Sequence, residues 1–285
     1  MNSAVNSDVV DTSSALASDK KSKLVDCFTF YNELAILEAR LRELEPIVDH
    51  WVLVESTKTH AGNDKTLYFA DNKERFRTWA DRITHIIVDD MPNEPGIDSW
   101  VRENFQRNAI SRGLDLLKLD DQDIVMISDV DEIPSLTAVT SLVDRKLNGL
   151  HSLSQRLFYY NFSCENRNCW WGTILSPYSV VKRTSPQQLR DMRGQGTQVL
   201  KGGWHCSYFG DENFIRNKLQ NFAHQEFNSE QFTNLEIIKR RIAQGQDLFG
   251  RTSEQWLYRE PSEQSDLPYY AYLIDSRYQN PVPNK

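Results

Sequence analysis

From Leu24 to Pro134 the chain alternates strand-sized apolar runs with amphipathic helical runs, and that alternation admits few folds. Leu24 to Phe30 is apolar and β-rich, and after Asn32 the side chains of Leu34, Leu37, Leu41 and Leu44 fall on one helical face. His50 to Glu55 reads as a second strand, Asp71 to Asp81 as a helix and Ile83 to Val88 as a third strand. A proline-containing loop over Met91 to Gly96 leads to a helix from Ser99 to Leu117 and then to the buried-type strand Asp123 to Ser128. Continuous apolar strands separated by helices predict an α/β protein with a mostly parallel sheet, since each crossover helix covers a face of that sheet. Beyond Pro134 the next ~75 residues are rich in aromatics and broken by Gly and Pro, which predicts antiparallel strands and loops shaping a pocket. Helices are expected from Glu212 to His224 and from Asn234 to Gln244, with a Pro-rich wrapping tail over 261–285.

With 285 residues, 39% of them hydrophobic, the chain can bury a sizeable core in one large domain or two small ones. We expect a disordered tail over 1–23 and a single domain over 24–285, with a strand–helix half over 24–134 and a pocket-shaping half over 135–285. A net charge of −7 argues against sequence-independent binding to nucleic acid or anionic lipid. No apolar run approaches the ~20 residues of a membrane span, and Asp8 and Asp11 stand where a signal peptide would be apolar. The expectation is therefore a soluble, cytoplasmic protein without a transmembrane segment. The four cysteines form no CxxC, and free thiols are expected, with a local Cys164–Cys169 disulfide as the alternative.

The sharpest chemical feature is Ser128-Asp129-Val130-Asp131-Glu132-Ile133-Pro134, directly after an apolar strand. Ligands of parallel α/β sheets bind beyond the carboxyl ends of strands. Two Asp at i and i+2 leaving a strand can present oxygens to Mg²⁺ or Mn²⁺, which keeps vacancies for a diphosphate. The alternative is an acidic turn that caps the next helix. On the preceding helix, Arg102 with Gln106, and Asn104 with Asn108, make a polar ridge able to meet phosphate or merely solvent. In Gly202-Gly203-Trp204-His205-Cys206-Ser207-Tyr208-Phe209-Gly210, His205 suits either a buried core histidine or a ligand. Asp211 and Glu212 after it fit a helix cap or a catalytic carboxylate, and His224 with Glu226 forms a further polar pair.

Taken in order, DCFTFYNELAILEARLREL, WVLVESTKTHAG, the Arg102 helix, MISDVDEIP, GGWHCSYFG with its following helix, and IAQGQDLFGR resemble glycosyltransferase family 17. The resemblance spans Val25 to Leu273 and is less clear between Leu136 and Gln198. It implies a GT-A-type fold, a Rossmann-like mixed sheet flanked by helices. It also implies an inverting, metal-dependent transfer of a sugar to a glycan hydroxyl, with UDP-N-acetylglucosamine as donor and Mn²⁺ or Mg²⁺ as cofactor. On that reading Asp131, Asp129 and His205 hold the metal, while Phe28, Glu33, Glu55, Arg102 and Asp129 border the donor. Glu212 is the first candidate base, followed by Asp211 and Glu226. A degenerate sugar- or nucleotide-binding protein is the alternative. A phosphohydrolase with an Asp nucleophile fits less well, because such enzymes carry DxD after their first strand.

Overall fold

The computed structural model describes residues 21–144 and 147–278, so the expected tail lies outside the described residues except for its last three positions. Nine strands form one sheet: β1 Leu24–Phe30, β2 His50–Ser56, β3 Ile83–Val88, β4 Ile124–Asp129, β5 Glu132–Pro134, β6 His151–Tyr159, β7 Cys164–Pro177, β8 Thr197–Ser207 and β9 Trp256–Tyr258. The main helices are α1 Leu34–Leu44, α2 Ser99–Asn108, α3 Ile110–Leu116, α4 Leu136–Val143, α5 Pro186–Asp191, α6 Glu212–Asn221 and α7 Leu235–Gln244. Strand order is β3-β2-β1-β4-β7-β6-β8-β5, with β9 on β7. The first four strands are parallel, as their apolar character predicts, and β7 enters antiparallel against β4. The result is a mixed α/β sheet flanked by helices.

Alternation along β1 sorts the core onto two faces: Leu24, Phe28 and Phe30 pack with α1, while Val25 and Cys27 pack with Ile110 and Leu114 of α3. A third cluster joins Tyr159 and Tyr208 of the sheet's far end to Ile215 and Leu219 of α6 and Ile238 of α7. Two residues, Val130 and Asp131, separate β4 from β5, yet β5 pairs with β8 at the opposite end of the strand order. The sheet must therefore curl until its last strand lies beside its fourth. The acidic turn is the clasp.

Several elements depart from expectation. The helix expected over Asp71 to Asp81 is a short α-turn followed by a 3₁₀ helix, Lys73–Arg82, whose two buried side chains, Phe76 and Trp79, are spaced three apart as a 3₁₀ helix aligns them. The helix expected from Ser99 to Leu117 breaks at Ala109, whose N–H is shared among the carbonyls of Phe105, Gln106 and Arg107. Beyond the break Gly113 approaches β2 so closely that a Cβ would lie 2.3 Å from Val52. After Pro134 comes a helix rather than a strand. Ser135 caps α4 by accepting from Ala138 N–H, and burial of Val139 and Leu142 outweighs the β-branched composition of LTAVTSLV. Strand β8 runs parallel to β6, not antiparallel, because the crossover through α5 returns the chain before β8 begins. All four cysteines are free thiols. The C-terminal segment does wrap, with Leu267, Tyr270, Leu273, Ile274 and Tyr278 against the α1-side core; residues 279–285 lie outside the described residues.

Candidate active site

Strand order reverses between β1 and β4, and beyond their carboxyl ends opens a cavity of about 440 Å³. Its inner wall holds Thr29, Glu33, Asp129 and Asp131, and α6 closes it with Lys218. Register places Thr29 opposite Asp129, and the Thr29 hydroxyl donates to Asp129 Oδ1 at 3.2 Å. Arg107 Nη2 reaches the same oxygen at 2.9 Å, and Arg190 Nη2 reaches Oδ2 at 3.0 Å. Burial alone would raise the Asp129 carboxyl, but the Arg107 and Arg190 charges outweigh it and hold the group well below the usual carboxylate range.

Asp131 sits two residues on, its Oδ2 accepting from Lys218 Nζ at 2.9 Å and its Oδ1 3.5 Å from His205 Nε2. Burial opposes its ionisation, and Lys218 followed by His205 more than reverses that, so Asp131 is an anion throughout the physiological range. Lys218 is raised in turn: burial disfavours its charge, and Asp131 and Glu33 restore it. The third acid of the turn faces inward. Glu132 is fully buried, accepts from Trp170 Nε1 at 2.6 Å, pairs with Arg190 and receives the Asp129 N–H at 3.2 Å.

Beneath the turn lies a brace formed by Asp26 and Arg40. Arg40 grips Asp26 through two hydrogen bonds of 2.9 and 2.6 Å, reaches Ser128 Oγ at 2.6 Å, and donates to the carbonyls of Glu132 at 2.6 Å and Asp129 at 3.2 Å. Sequence reasoning missed this brace, although an Asp inside LVDCFTF and an Arg between Ala39 and Leu41 on a core-facing helix were its signal. It also missed Arg107, Arg190 and Lys218, which are cations with no motif of their own.

Of the expected metal ligands, Asp129, Asp131 and His205 all reach the cavity. Among the described residues no three His, Cys, Asp or Glu side chains converge as a ready-made ligand set. The donor chemistry nonetheless fits a hard divalent ion: Asp129 Oδ2 holds one guanidinium, Asp131 Oδ1 faces only an imidazole, and the buried His205 Nδ1 has no partner among the described residues.

The expected donor-site residues divide. Glu33 lines the cavity, its Oε2 accepting from Asn32 N–H at 3.0 Å while Lys218 lies 3.4 Å from Oε1. Phe28 does not, being buried in the core beneath Arg40. Glu55 is fully buried behind the wall, consumed by Phe69 N–H at 3.0 Å, His85 Nε2 at 3.1 Å and Lys65 at 3.5 Å. Arg102 is likewise spent, donating to the carbonyls of Pro92 at 2.9 Å and His60 at 3.1 Å so that it ties two loops together rather than facing a ligand.

The expected bases divide too. Asp211 caps α6 by accepting from Phe214 N–H at 2.8 Å, and neither it nor Glu212 lines the cavity. Glu226 does, at the aromatic end of the cavity with Trp100, Phe227 and Phe249, and its Oε1 lies 2.6 Å from His224 Nδ1. The His224 ring in turn packs edge-on against Trp100 with centroids 4.5 Å apart. Slight burial disfavours the charge on Glu226, but the His224 hydrogen bond outweighs it and keeps the carboxyl ionised.

The family model of glycosyltransferase family 17 matches residues 10–267 of the chain. The human β-1,4-mannosyl-glycoprotein 4-β-N-acetylglucosaminyltransferase is 24% identical over 302 aligned positions, covering 91% of this chain and 56% of that protein. The rat protein of the same name is 23% identical with the same coverage, so the chain spans just over half the length of these relatives. Among solved structures, the glycosyltransferase GlyE of Streptococcus pneumoniae TIGR4 aligns with 61% of this chain and 39% of its own, at 16% identity and a TM-score of 0.33.

Proposed function

Since the chain belongs to glycosyltransferase family 17, we propose that it transfers N-acetylglucosamine from UDP-N-acetylglucosamine to a hydroxyl of a glycan acceptor, inverting the anomeric centre. The observation that carries this reading is the pair Asp129 and Asp131, fixed at the carboxyl end of β4 where strand order reverses, on the wall of a cavity lined with cations and aromatics. Asp131, with Asp129 and His205, would hold Mn²⁺ or Mg²⁺, which as a Lewis acid supplies charge neutralisation at a departing diphosphate. In the transfer, the acceptor oxygen forms its bond to the anomeric carbon as the bond to phosphate oxygen breaks, the electron pair leaving with the diphosphate. The transition state has oxocarbenium character, as in glycoside hydrolysis. The acceptor proton passes to the His224–Glu226 pair, since Glu226 is the one of the three expected bases that lines the cavity. Flat aromatic faces at that end suit the apolar faces of sugar rings.

Calorimetric titration of UDP-N-acetylglucosamine, with and without Mn²⁺, tests the reading on wild type and on Asp131→Asn. Asparagine keeps the shape of the turn while removing the charge. Binding that requires the metal and is lost in the variant is the expected result. Binding indifferent to both would remove the metal from the proposal, and absence of binding would remove the donor.

A further inference from the structure

Arg193 is a cation in the cavity wall for whose side chain the described residues supply no hydrogen-bond acceptor and no ion-pair partner. Its guanidinium carbon stands over Trp170, 5.2 Å from the ring centroid. The two carboxylates whose charges act on it are already taken: Asp129 by Arg107 and Arg190, Glu132 by Arg190 and Trp170. Arg193 is exposed at the cavity's edge, yet partial burial first, and the Arg190 charge second, pull its pKa below the ordinary arginine value. A guanidinium has five N–H donors and keeps its charge at neutral pH, so donors left without a protein acceptor on the cavity wall are open to an arriving anion.

The position is fixed by the surrounding fold. The next residue, Gly194, has φ +80° and lies flat on Trp171, where a Cβ would come within 3.2 Å of the indole. Ser152 Oγ accepts from Gly194 N–H at 3.1 Å and donates to the Gln195 carbonyl at 2.8 Å, pinning the loop to β6. Trp170 ties the site to the acidic turn, since its ring also meets His205 at 4.8 Å between centroids and its N–H bonds Glu132. Arg193 therefore stands one aromatic ring away from the Asp131–His205 pair.

We propose that Arg193 is an anion-binding residue that grips the diphosphate of the donor from the β7 side of the cavity, opposite Lys218. A planar guanidinium can take two phosphate oxygens at once, and here it would share the charge left on the diphosphate as the sugar departs. The identity of the anion rests on the nucleotide-sugar reading above; the existence of the anion site does not.

Calorimetry on the full chain with inorganic pyrophosphate, UDP and uridine separates the two. In Arg193→Ala, affinity for UDP and for pyrophosphate falls tenfold or more while uridine binding is unchanged, and Arg193→Lys recovers part of the loss. Arg77→Ala, on an exposed side chain outside the cavity, binds all three as wild type does. If wild type binds pyrophosphate in an Arg193-dependent way but neither UDP nor uridine, the anion site stands and the nucleotide reading falls. If Arg193→Ala binds UDP and pyrophosphate like wild type, or wild type binds no pyrophosphate, the anion site is overturned.

Discussion

Asp26 and Arg40 come from an apolar strand and an otherwise core-facing helix, and both are fully buried. A buried ion pair of this kind gains little net stability over a hydrophobic pair, whereas removing one partner leaves a charge stranded. We predict that Arg40→Met costs about 3–5 kcal/mol in urea denaturation and that the double variant Asp26→Leu, Arg40→Met regains part of it. Recovery should be incomplete, because the carbonyls of Glu132 and Asp129 lose their donor. Simple additivity of the two single variants would mean that the pair is not coupled. The candidate bases allow a second contrast at this scale. Glu226→Gln should lower kcat by roughly 10²–10⁴, the range of a lost general base, with donor affinity kept. Glu212→Gln should leave kcat unchanged, and Asp211→Ala should cost about 1 kcal/mol of stability with no kinetic effect, as a lost cap does. A collapse of kcat in Glu212→Gln would return the proton transfer to α6.

Elements legible in the sequence were those whose periodicity matches their environment. β1, β2 and β4, buried on both faces, read as apolar runs, and α1 and α7 read as stripes. Less legible were elements decided by tertiary contact. The helix α4 has the composition of a strand, and the parallel pairing of β6 with β8 depends on the course of a crossover rather than on either strand. The C-terminal wrap read correctly as a wrap, but its anchor did not. Asp275 accepts from Phe162 N–H at 3.1 Å and pairs with Arg277, joining the tail to the turn before β7. Burial would raise the Asp275 carboxyl, and Arg277 with the Phe162 N–H lowers it below the ordinary value. A carboxyl depressed in the folded state binds fewer protons there than in the unfolded chain. Its contribution is therefore present above its unfolded pKa of about 3.9 and lost as pH falls through the folded value. Asp275→Asn should accordingly destabilise the protein by about 1–2 kcal/mol at pH 7, with the difference from wild type shrinking below about pH 4. A gap that stayed constant with pH would assign the effect to packing.

At the scale of the molecule, the DVDE turn was legible as a candidate site because three acids after an apolar strand break the local pattern. What it holds together was not, because the pairing of β5 with β8 is set by the curl of the whole sheet. The cations were hidden for a related reason. Seven Lys and Arg side chains face five carboxylates on the cavity wall of a chain whose net charge is −7, an inversion of sign that only folding produces. These two facts couple ligand to stability. One sheet runs through both halves of the chain, and the turn whose carboxylates would hold the metal at the donor site is the same turn that closes that sheet. A ligand held there stabilises every strand at once, so unfolding should be a single cooperative transition that moves as a unit. At a concentration 100 times its Kd, UDP with Mn²⁺ should add about 2.7 kcal/mol, which for a domain of this size raises Tm by roughly 5–10 °C. In Gly203→Ala, where φ is +135° and a Cβ would lie 2.1 Å from the Ile133 carbonyl oxygen, the β5–β8 pairing is forced apart. That variant should lose about 3 kcal/mol and most of the ligand-induced shift together. Differential scanning calorimetry checks both statements. Two separate transitions, with the ligand moving one of them alone, would mean that the halves fold as independent units and that the clasp binds ligand without holding the sheet.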